Sequence, residues 1–234
     1  MVFVSSGMPE PPWSSLRAKP ARKALTREGI AKAALAIVDA EGLENLSMRR
    51  LAQALGTGPA SLYAHVSGKD ELLALLIDLV AGDMERVEPD PERWQEQVKE
   101  YARTMRARLA EHRDLAGAAL ANIPTGPNAL GAMDSLLGIM RAGGLPDDVI
   151  ALGSDLLSQF VVGSTYETAL FEERMQREPE YFEQLGDYFR ALPADRFPHT
   201  AALAEALMGD DDPDTRFEFG LAVLVAGLVA VAAR

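Results

Sequence analysis

The 234-residue chain contains no cysteine and only three histidines. The missing cysteines exclude disulfides, thiolate metal sites and cysteine nucleophiles, and they fit a reducing compartment. Three histidines nearly exclude a multi-histidine metal centre, and neither a metal nor a cofactor is expected. There is no G-x-S-x-G and no phosphate-binding glycine loop. Glu172-Glu173 and Asp210-Asp211-Asp212 read as solvated charge rather than a catalytic pair, so the chain is not expected to be an enzyme. No stretch alternates apolar and polar residues long enough for a strand, and no internal repeat is visible. Residues 1–24, MVFVSSGMPEPPWSSLRAKPARKA, lack the apolar core of a signal peptide; rich in Pro, Ser, Lys and Arg, they read as a disordered basic arm. The terminal run FEFGLAVLVAGLVAVAAR is shorter than the ~20 apolar residues of a membrane span and carries Glu218. It reads as a helix buried in a core or a dimer interface. No membrane association is expected, and the location expected is the cytoplasm.

What is present is a chain with 48% hydrophobic residues, enough for one large or two small cored domains. The net charge of −12 argues against nucleic acid when taken whole. Its distribution does not. Residues 1–69 carry nine Lys and Arg against five Asp and Glu, a balance of +4, while the rest carries −16. Such asymmetry suits a DNA-contacting head on an acidic body. The alternative is that +4 is mild, and four of the nine cations (Arg17, Lys19, Arg22, Lys23) lie in the arm.

The periodicity is helical throughout. Helix one spans about 26–41, with Thr26 as N-cap, Ile30, Ala34, Ile37 and Val38 as its apolar stripe, and Gly42 as its stop. Ser47 caps a short helix over 47–54, Gly56 breaks it, and Pro59 opens a third helix over about 59–64. A fourth runs from about 68 to 84. Further helices are expected over about 91–111, 113–121, 126–142, 147–175 and 213–233, with 178–212 less regular because prolines interrupt it.

Two short helices joined by a tight turn at Gly56 form a helix-turn-helix, whose second helix lies in a DNA major groove. Gly58, Ala60 and Ser61 are small enough for close approach to DNA. Tyr63 can meet a phosphate or a thymine methyl, Arg49 has the fork that reads guanine, and Lys69 suits phosphate. Each also has a plainer reading. Leu51, Leu55, Leu62 and Val66 are core residues, Tyr63 and His65 could be packing, and Arg49 and Arg50 could be a solvated face.

Residues 26–73, LTREGIAKAALAIVDAEGLENLSMRRLAQALGTGPASLYAHVSGKDELL with Leu25 included, resemble the DNA-binding domain of the TetR family of bacterial regulators. The resemblance runs through Gly42-Leu43, Leu46-Ser47, Leu51-Ala52, Leu55-Gly56, Leu62-Tyr63, His65-Val66 and Lys69. It implies an all-α fold: a three-helix helix-turn-helix head, residues 25–72, and a larger helical body, residues 73–234, for ligand binding and dimerisation. It implies base contacts at Arg49, Pro59, Ala60 and Tyr63. It implies backbone contacts, or support of the recognition helix, at Ser47, Ser61, His65 and Lys69, with Thr26 near phosphate.

The body segments HRDLAGAALANIPTGPNALGAMDSLLGIMRAGG, QFVVGSTYETALFEER and FEFGLAVLVAGL resemble the tetracycline-repressor branch. There, two helices of each subunit build a four-helix bundle, and a drug–magnesium complex enters a pocket. This chain departs from that pattern. The position matching a drug-binding histidine is Ala119; Glu167 matches a pocket carboxylate, but a lone carboxylate is a poor magnesium site. A small, largely apolar effector other than tetracycline is therefore expected. The match favours Tyr101, Met105, Ala119, Asn122, Ser135, Ser164 and Glu167 as its contacts, and Phe160 joins them as an apolar wall. Most of the apolar body residues are equally explained as core.

A single short recognition helix reads too few base pairs to select a genomic site. Two heads on a two-fold axis read a palindrome. A homodimer through helices about 147–175 and 213–233 is expected, with Gly163, Gly220 and Gly227 allowing close approach. The expected function is a ligand-released repressor on double-stranded DNA; an activator of the same fold, or a protein-binding helical module, are the alternatives.

Overall fold

The computed structural model describes residues 25–233 apart from 83, 85, 121, 124, 210 and 211. The basic arm expected over 1–24 lies outside these residues, as do Asp210 and Asp211. The described residues form twelve α-helices and one 3-10 turn, without a strand.

Four helices and the turn build the first cluster. Helix α1 (Arg27–Glu41) starts where the Thr26 hydroxyl accepts from the Gly29 N–H at 3.0 Å, and it ends at Gly42. The turn Leu43–Asn45 leads to α2 (Met48–Ala54), whose N-cap Ser47 accepts from the Arg50 N–H at 3.2 Å. Both caps satisfy amides that the helix itself leaves unpaired. Then come α3 (Pro59–Tyr63) and α4 (Lys69–Ala81). Ile30, Leu46, Leu51, Leu62, Leu72 and Leu76 are fully buried together. At about 1.5–3 kcal/mol for each such side chain, this cluster holds three very short elements that could not persist alone.

The body contains α5 (Trp94–Ala110), α6 (Arg113–Ala119), α7 (Pro127–Ala142), α8 (Asp147–Arg177) and α12 (Pro213–Ala232). Its apolar cluster joins Val98 and Ala102 of α5, Leu136 and Met140 of α7, Leu157 and Val161 of α8, and Phe217, Leu221 and Val225 of α12. Leu115 of α6 belongs to the first cluster, beside Val80. The cluster of the head therefore extends along α4 and takes in a residue of the body.

The region 178–212 differs most from its expected irregularity. It forms α9 (Tyr181–Arg190), α10 (Pro198–Ala202) and α11 (Ala204–Leu207). Pro179 and Pro193 flank α9 instead of breaking it. Tyr181, Phe182, Leu185 and Phe189 recur at helical spacing, and Phe182 packs on Phe171 of α8 with ring centroids 4.1 Å apart.

Two sets of polar contacts join head and body. In one, Asp114 accepts from the Leu43 N–H at 2.8 Å, and His112 Nδ1 lies 2.7 Å from Asp39. In the other, the buried Asp78 of α4 caps α7 from outside. Its Oδ1 accepts from the N–H groups of Asn128 and Ala129 at 2.9 and 3.0 Å, and Asn128 Nδ2 donates to Oδ2 at 3.3 Å. The N-cap of α7 is Gly126, which has no side chain to do this, and any Cβ there would overlap the Asp78 carboxylate.

Removing a carboxyl acceptor that serves two helix-start amides costs about 1.5–3 kcal/mol. We expect Asp78→Ala to lower the unfolding free energy by about 2 kcal/mol in urea titration, with Asp78→Asn intermediate. An unchanged midpoint for Asp78→Ala would show that water replaces the carboxylate at no cost.

Candidate functional site

The outer surface of the first cluster is built by α2, α3 and the turn between them. Leu55 ends α2, and Gly56 takes φ 60°, the left-handed conformation that glycine adopts without strain. The chain reverses there, with the Thr57 N–H donating to Ala52 O at 2.9 Å. Gly58 and Pro59 then start α3, whose one buried residue is Leu62. Pro59, Ala60 and Ser61 are exposed, and Tyr63 is 55% exposed. Gly58 is exposed as well, and a Cβ at Gly58 would meet nothing within 4 Å. The face is shallow, nearly without side chains at its start, and ends in an outward aromatic.

The remaining head candidates flank this face. Thr26 and Ser47 are exposed N-caps of α1 and α2; His65 is half-buried just after α3; Lys69 is exposed at the start of α4. The two neighbouring arginines separate clearly. Arg50 is half-buried and held by Glu41 through Nε, at 2.9 and 3.1 Å, and through Nη2. That pair raises the Arg50 pKa and lowers that of Glu41. Arg49 is exposed, and no ion pair among the described residues holds it or Lys69.

Two residues here escaped the sequence reading. Arg27 Nη1 donates to the carbonyl of His65 at 2.8 Å, and its Nη2 donates to Glu71 Oε1 at 2.5 Å. Glu71 Oε2 accepts from the Ser67 N–H at 2.6 Å. The Ser67 bonds, then Arg27, pull the Glu71 carboxyl down to about 2. The one local signal is a glutamate three positions into α4, where such side chains reach back to free amides; the arginine lies 44 residues away.

In the body, the eight ligand candidates are spread over four helices and one link. Tyr101 and Met105 of α5 and Phe160 of α8 pack against the same apolar cluster. Phe160 stacks on Phe217 with centroids 5.3 Å apart, over the flank of Gly220. Ala119 ends α6, and Asn122 follows it, donating to Ala118 O at 2.7 Å; both are half-buried, as is Ser135 of α7. Ser164 donates to Val161 O at 3.0 Å. Glu167 is exposed and accepts from Arg216 at 3.2 Å. Nearby, Arg103 of α5 bonds Glu218 at 2.7 and 2.9 Å and Glu96 at 2.8 Å, which raises its own pKa and lowers theirs.

Two clefts of the described residues lie away from the ligand candidates. One, of about 630 Å³, opens between α1, α4 and the link before α7, over Ala31, Leu75 and Leu79 with Arg27 and Glu71 at its rim. The other, of about 180 Å³, lies beside His112 and Asp39. Of the eight candidates, Tyr101, Met105 and Phe160 pack on the apolar cluster of the body, while Glu167 lies exposed.

Comparison with known proteins adds to this geometry. Residues 30–76 match the family model for bacterial regulatory proteins of the tetR family, and 88–232 match that for the tetracyclin repressor-like C-terminal domain. The chain is similar to the HTH-type transcriptional repressor DrrR1 of Streptomyces coeruleorubidus, 33% identical over 90% of this chain and 79% of the relative. It is 29% identical to the class C tetracycline repressor protein of Escherichia coli, over 87% of this chain and 90% of that one. Among solved structures, Streptomyces coelicolor ActR in complex with actinorhodin is similar with a TM-score of 0.83 and 47% identity, over 89% of this chain and 97% of ActR. ActR in complex with (S)-DNPA gives 0.82 and 46%, over 90% of this chain and 100% of ActR.

Burial pushes the Tyr101 phenol up to about 12 from its ordinary 10.0. A phenol raised on folding contributes stability below pH 10 that is lost as pH climbs toward about 12. We expect ultraviolet phenolate titration to show one tyrosine ionising late, and Tyr101→Phe to remove that step. If Tyr101→Phe instead removed amplitude from the ordinary step near 10, the phenol would be in water.

Proposed function

The chain belongs to the TetR family of bacterial transcriptional regulators and is a ligand-responsive, DNA-binding member of it; we propose that it acts as a homodimeric repressor of a palindromic operator. The observation that carries this reading is the shallow exposed face of α3, with Arg49 and Lys69 unpaired on either side. Residues 25–72 are the DNA-binding domain and 73–234 the ligand-binding and dimerisation domain, with α4 running between them.

On DNA, α3 enters the major groove. The small residues Gly58 to Ser61 let the backbone approach the bases, and Tyr63 packs on a base or a phosphate. Arg49 reads a guanine edge. Thr26, Ser47, His65 and Lys69 hold the phosphate backbone or the helix that reads it.

A dimer face is supported by what α8 and α12 leave uncovered. Leu152 and Phe219 are each 73% exposed, and Leu156 and Val223 continue the two stripes at helical spacing. A Cβ at Gly163 or Gly227 would meet nothing within 4 Å, so both glycines lie open for a partner's approach. Gly220, expected on the same face, is instead occupied within the chain by the Phe160 ring. Contiguous apolar helix faces of this kind are unusual on a monomer. The 20-residue α12 is long and apolar enough to cross a membrane; one face, Phe217, Leu221, Val225 and Leu228, packs on the body, and the exposed Phe219 and Val223 suit a dimer contact.

The effector is a small organic molecule in the body, contacting Tyr101, Met105, Ala119, Asn122, Ser135, Phe160, Ser164 and Glu167. The similarity to ActR, solved with actinorhodin and with (S)-DNPA, supports this class of ligand. Ala119 and the Glu167–Arg216 pair argue against a tetracycline–magnesium complex. Ligand favours a head separation that mismatches the groove spacing, and α4 carries the change. Such coupling requires a different ligand affinity in the two states.

Selection from random duplex DNA at near-physiological salt should enrich a palindrome. Actinorhodin should then weaken binding to that duplex on the order of tenfold, about 1.4 kcal/mol of coupling. Failure of any palindrome to enrich with folded dimer would sink the operator reading; release by none of a ligand panel including actinorhodin would sink the effector reading alone. Arg49→Ala should cost about 1–3 kcal/mol and relax preference at one base pair per half-site. In light scattering, Phe219→Glu should give monomers; a persistent dimer would mean that the contact lies elsewhere.

A further inference from the structure

We infer that Arg27 and Glu71 are positioning residues for operator binding, which fix the end of the recognition helix without touching DNA themselves. This rests on the DNA-binding reading of α3.

The recognition helix is five residues long, with no side-chain cap at its start and one buried side chain, Leu62. A helix this short has too few internal hydrogen bonds to hold itself. Its aim must be set from outside. At its far end the N–H groups of His65 and Val66 both donate to Leu62 O. Three residues on, the carbonyl of His65 receives Arg27 Nη1 at 2.8 Å. The other arm of that guanidinium reaches Glu71 at 2.5 Å, and the second oxygen of Glu71 takes the Ser67 N–H at 2.6 Å. One unbroken chain of charge-assisted bonds therefore joins the first residue of α1, the end of α3 and the first turn of α4.

The N-cap of α4 is Gly68, which has no capping side chain. Glu71 is thus the group that organises this turn, and its carboxyl lies far below the ordinary carboxylate range, at about 2. The two side chains are 52% and 32% exposed. An exposed pair of this kind adds little to global stability. Its consequence is geometric: it fixes where α3 stops relative to α1 and α4, and so where Tyr63 and the small residues before it meet the groove.

The rival role for Arg27 is a direct phosphate contact. The two roles diverge in three measurements on the palindromic duplex that wild type selects. Positioning predicts that Glu71→Gln weakens binding on the order of tenfold, because the amide NH2 that replaces one carboxylate oxygen is a donor and would face either the Ser67 N–H or Arg27 Nη2, both donors themselves. A purely electrostatic role predicts tighter binding, since a negative charge near the phosphates is lost. Positioning predicts that Arg27→Lys, which keeps the charge but lacks the two-armed fork, also weakens binding about tenfold. It predicts that log Kd against log salt keeps its wild-type slope in Arg27→Ala, whereas a lost phosphate contact lowers the slope by about one.

In a double-mutant cycle, Arg27→Ala with Glu71→Gln should be no weaker than the worse single variant. Thermal melting verifies that each protein tested is folded. Should Arg27→Ala unfold, Arg27→Lys and Glu71→Gln still decide the question. Tighter binding by Glu71→Gln, tolerance of Arg27→Lys, or a slope reduced by one would overturn the inference. If wild type selects no duplex, it is the operator reading that has failed.

Discussion

Helix α4 is the element on which both halves of this molecule depend. One face, Leu72, Leu76 and Val80, completes the core that holds α1 to α3. Another face carries Asp78, whose buried carboxylate supplies the amide partners that the first turn of α7 lacks. A helix that belongs to two packed units cannot rotate or translate without disturbing one of them, because packed interiors tolerate little change of volume. The start of α7 is thus bonded to α4, and α4 shares the core that seats Leu62 of α3.

The polar contacts between head and body fall into two groups. Asp114 and His112 meet the end of α1 and the turn after it, while Asp78 meets α7. The 630 Å³ cleft lies between α1, α4 and the link to α7, over Ala31, Leu75 and Leu79. This geometry suits a joint that is fixed at defined points and loose between them. Regulators need such a joint: two discrete arrangements of similar free energy, not a rigid block.

The charge split read along the chain finds its meaning on the surface. Arg50 and Arg27 are committed within the protein, by Glu41 and by Glu71 with the His65 carbonyl. Arg49 and Lys69 stay outward. A net count of basic residues in the head therefore overstates what is available to DNA, and the identity of the available cations matters more than their number. The same holds in the body, where Glu167, matched by resemblance to a pocket carboxylate, has Arg216 as its partner.

What the sequence determined by itself was whatever depends on neighbours within one turn or one period. The caps Thr26 and Ser47, the break at Gly56, the Pro59 start and the apolar stripes of α1 and α4 all rest on contacts three or four residues apart, and all are present in the fold. Even the all-α class follows from period alone. Tertiary structure decided whatever joins distant positions. Asp78, the one polar residue between Leu72 and Ala81, reads locally as solvated, and only packing 50 residues away makes it a cap. Arg27 and Glu71 look like ordinary helix-start charges until the fold sets them 2.5 Å apart. The helices between 178 and 212 were hidden because prolines mask short periodic segments, and α9 forms where Phe171 gives Phe182 something to pack against. Local rules fix where a helix starts and stops; which of its faces finds a partner is settled by apolar burial over the whole chain, and that term has no local signature.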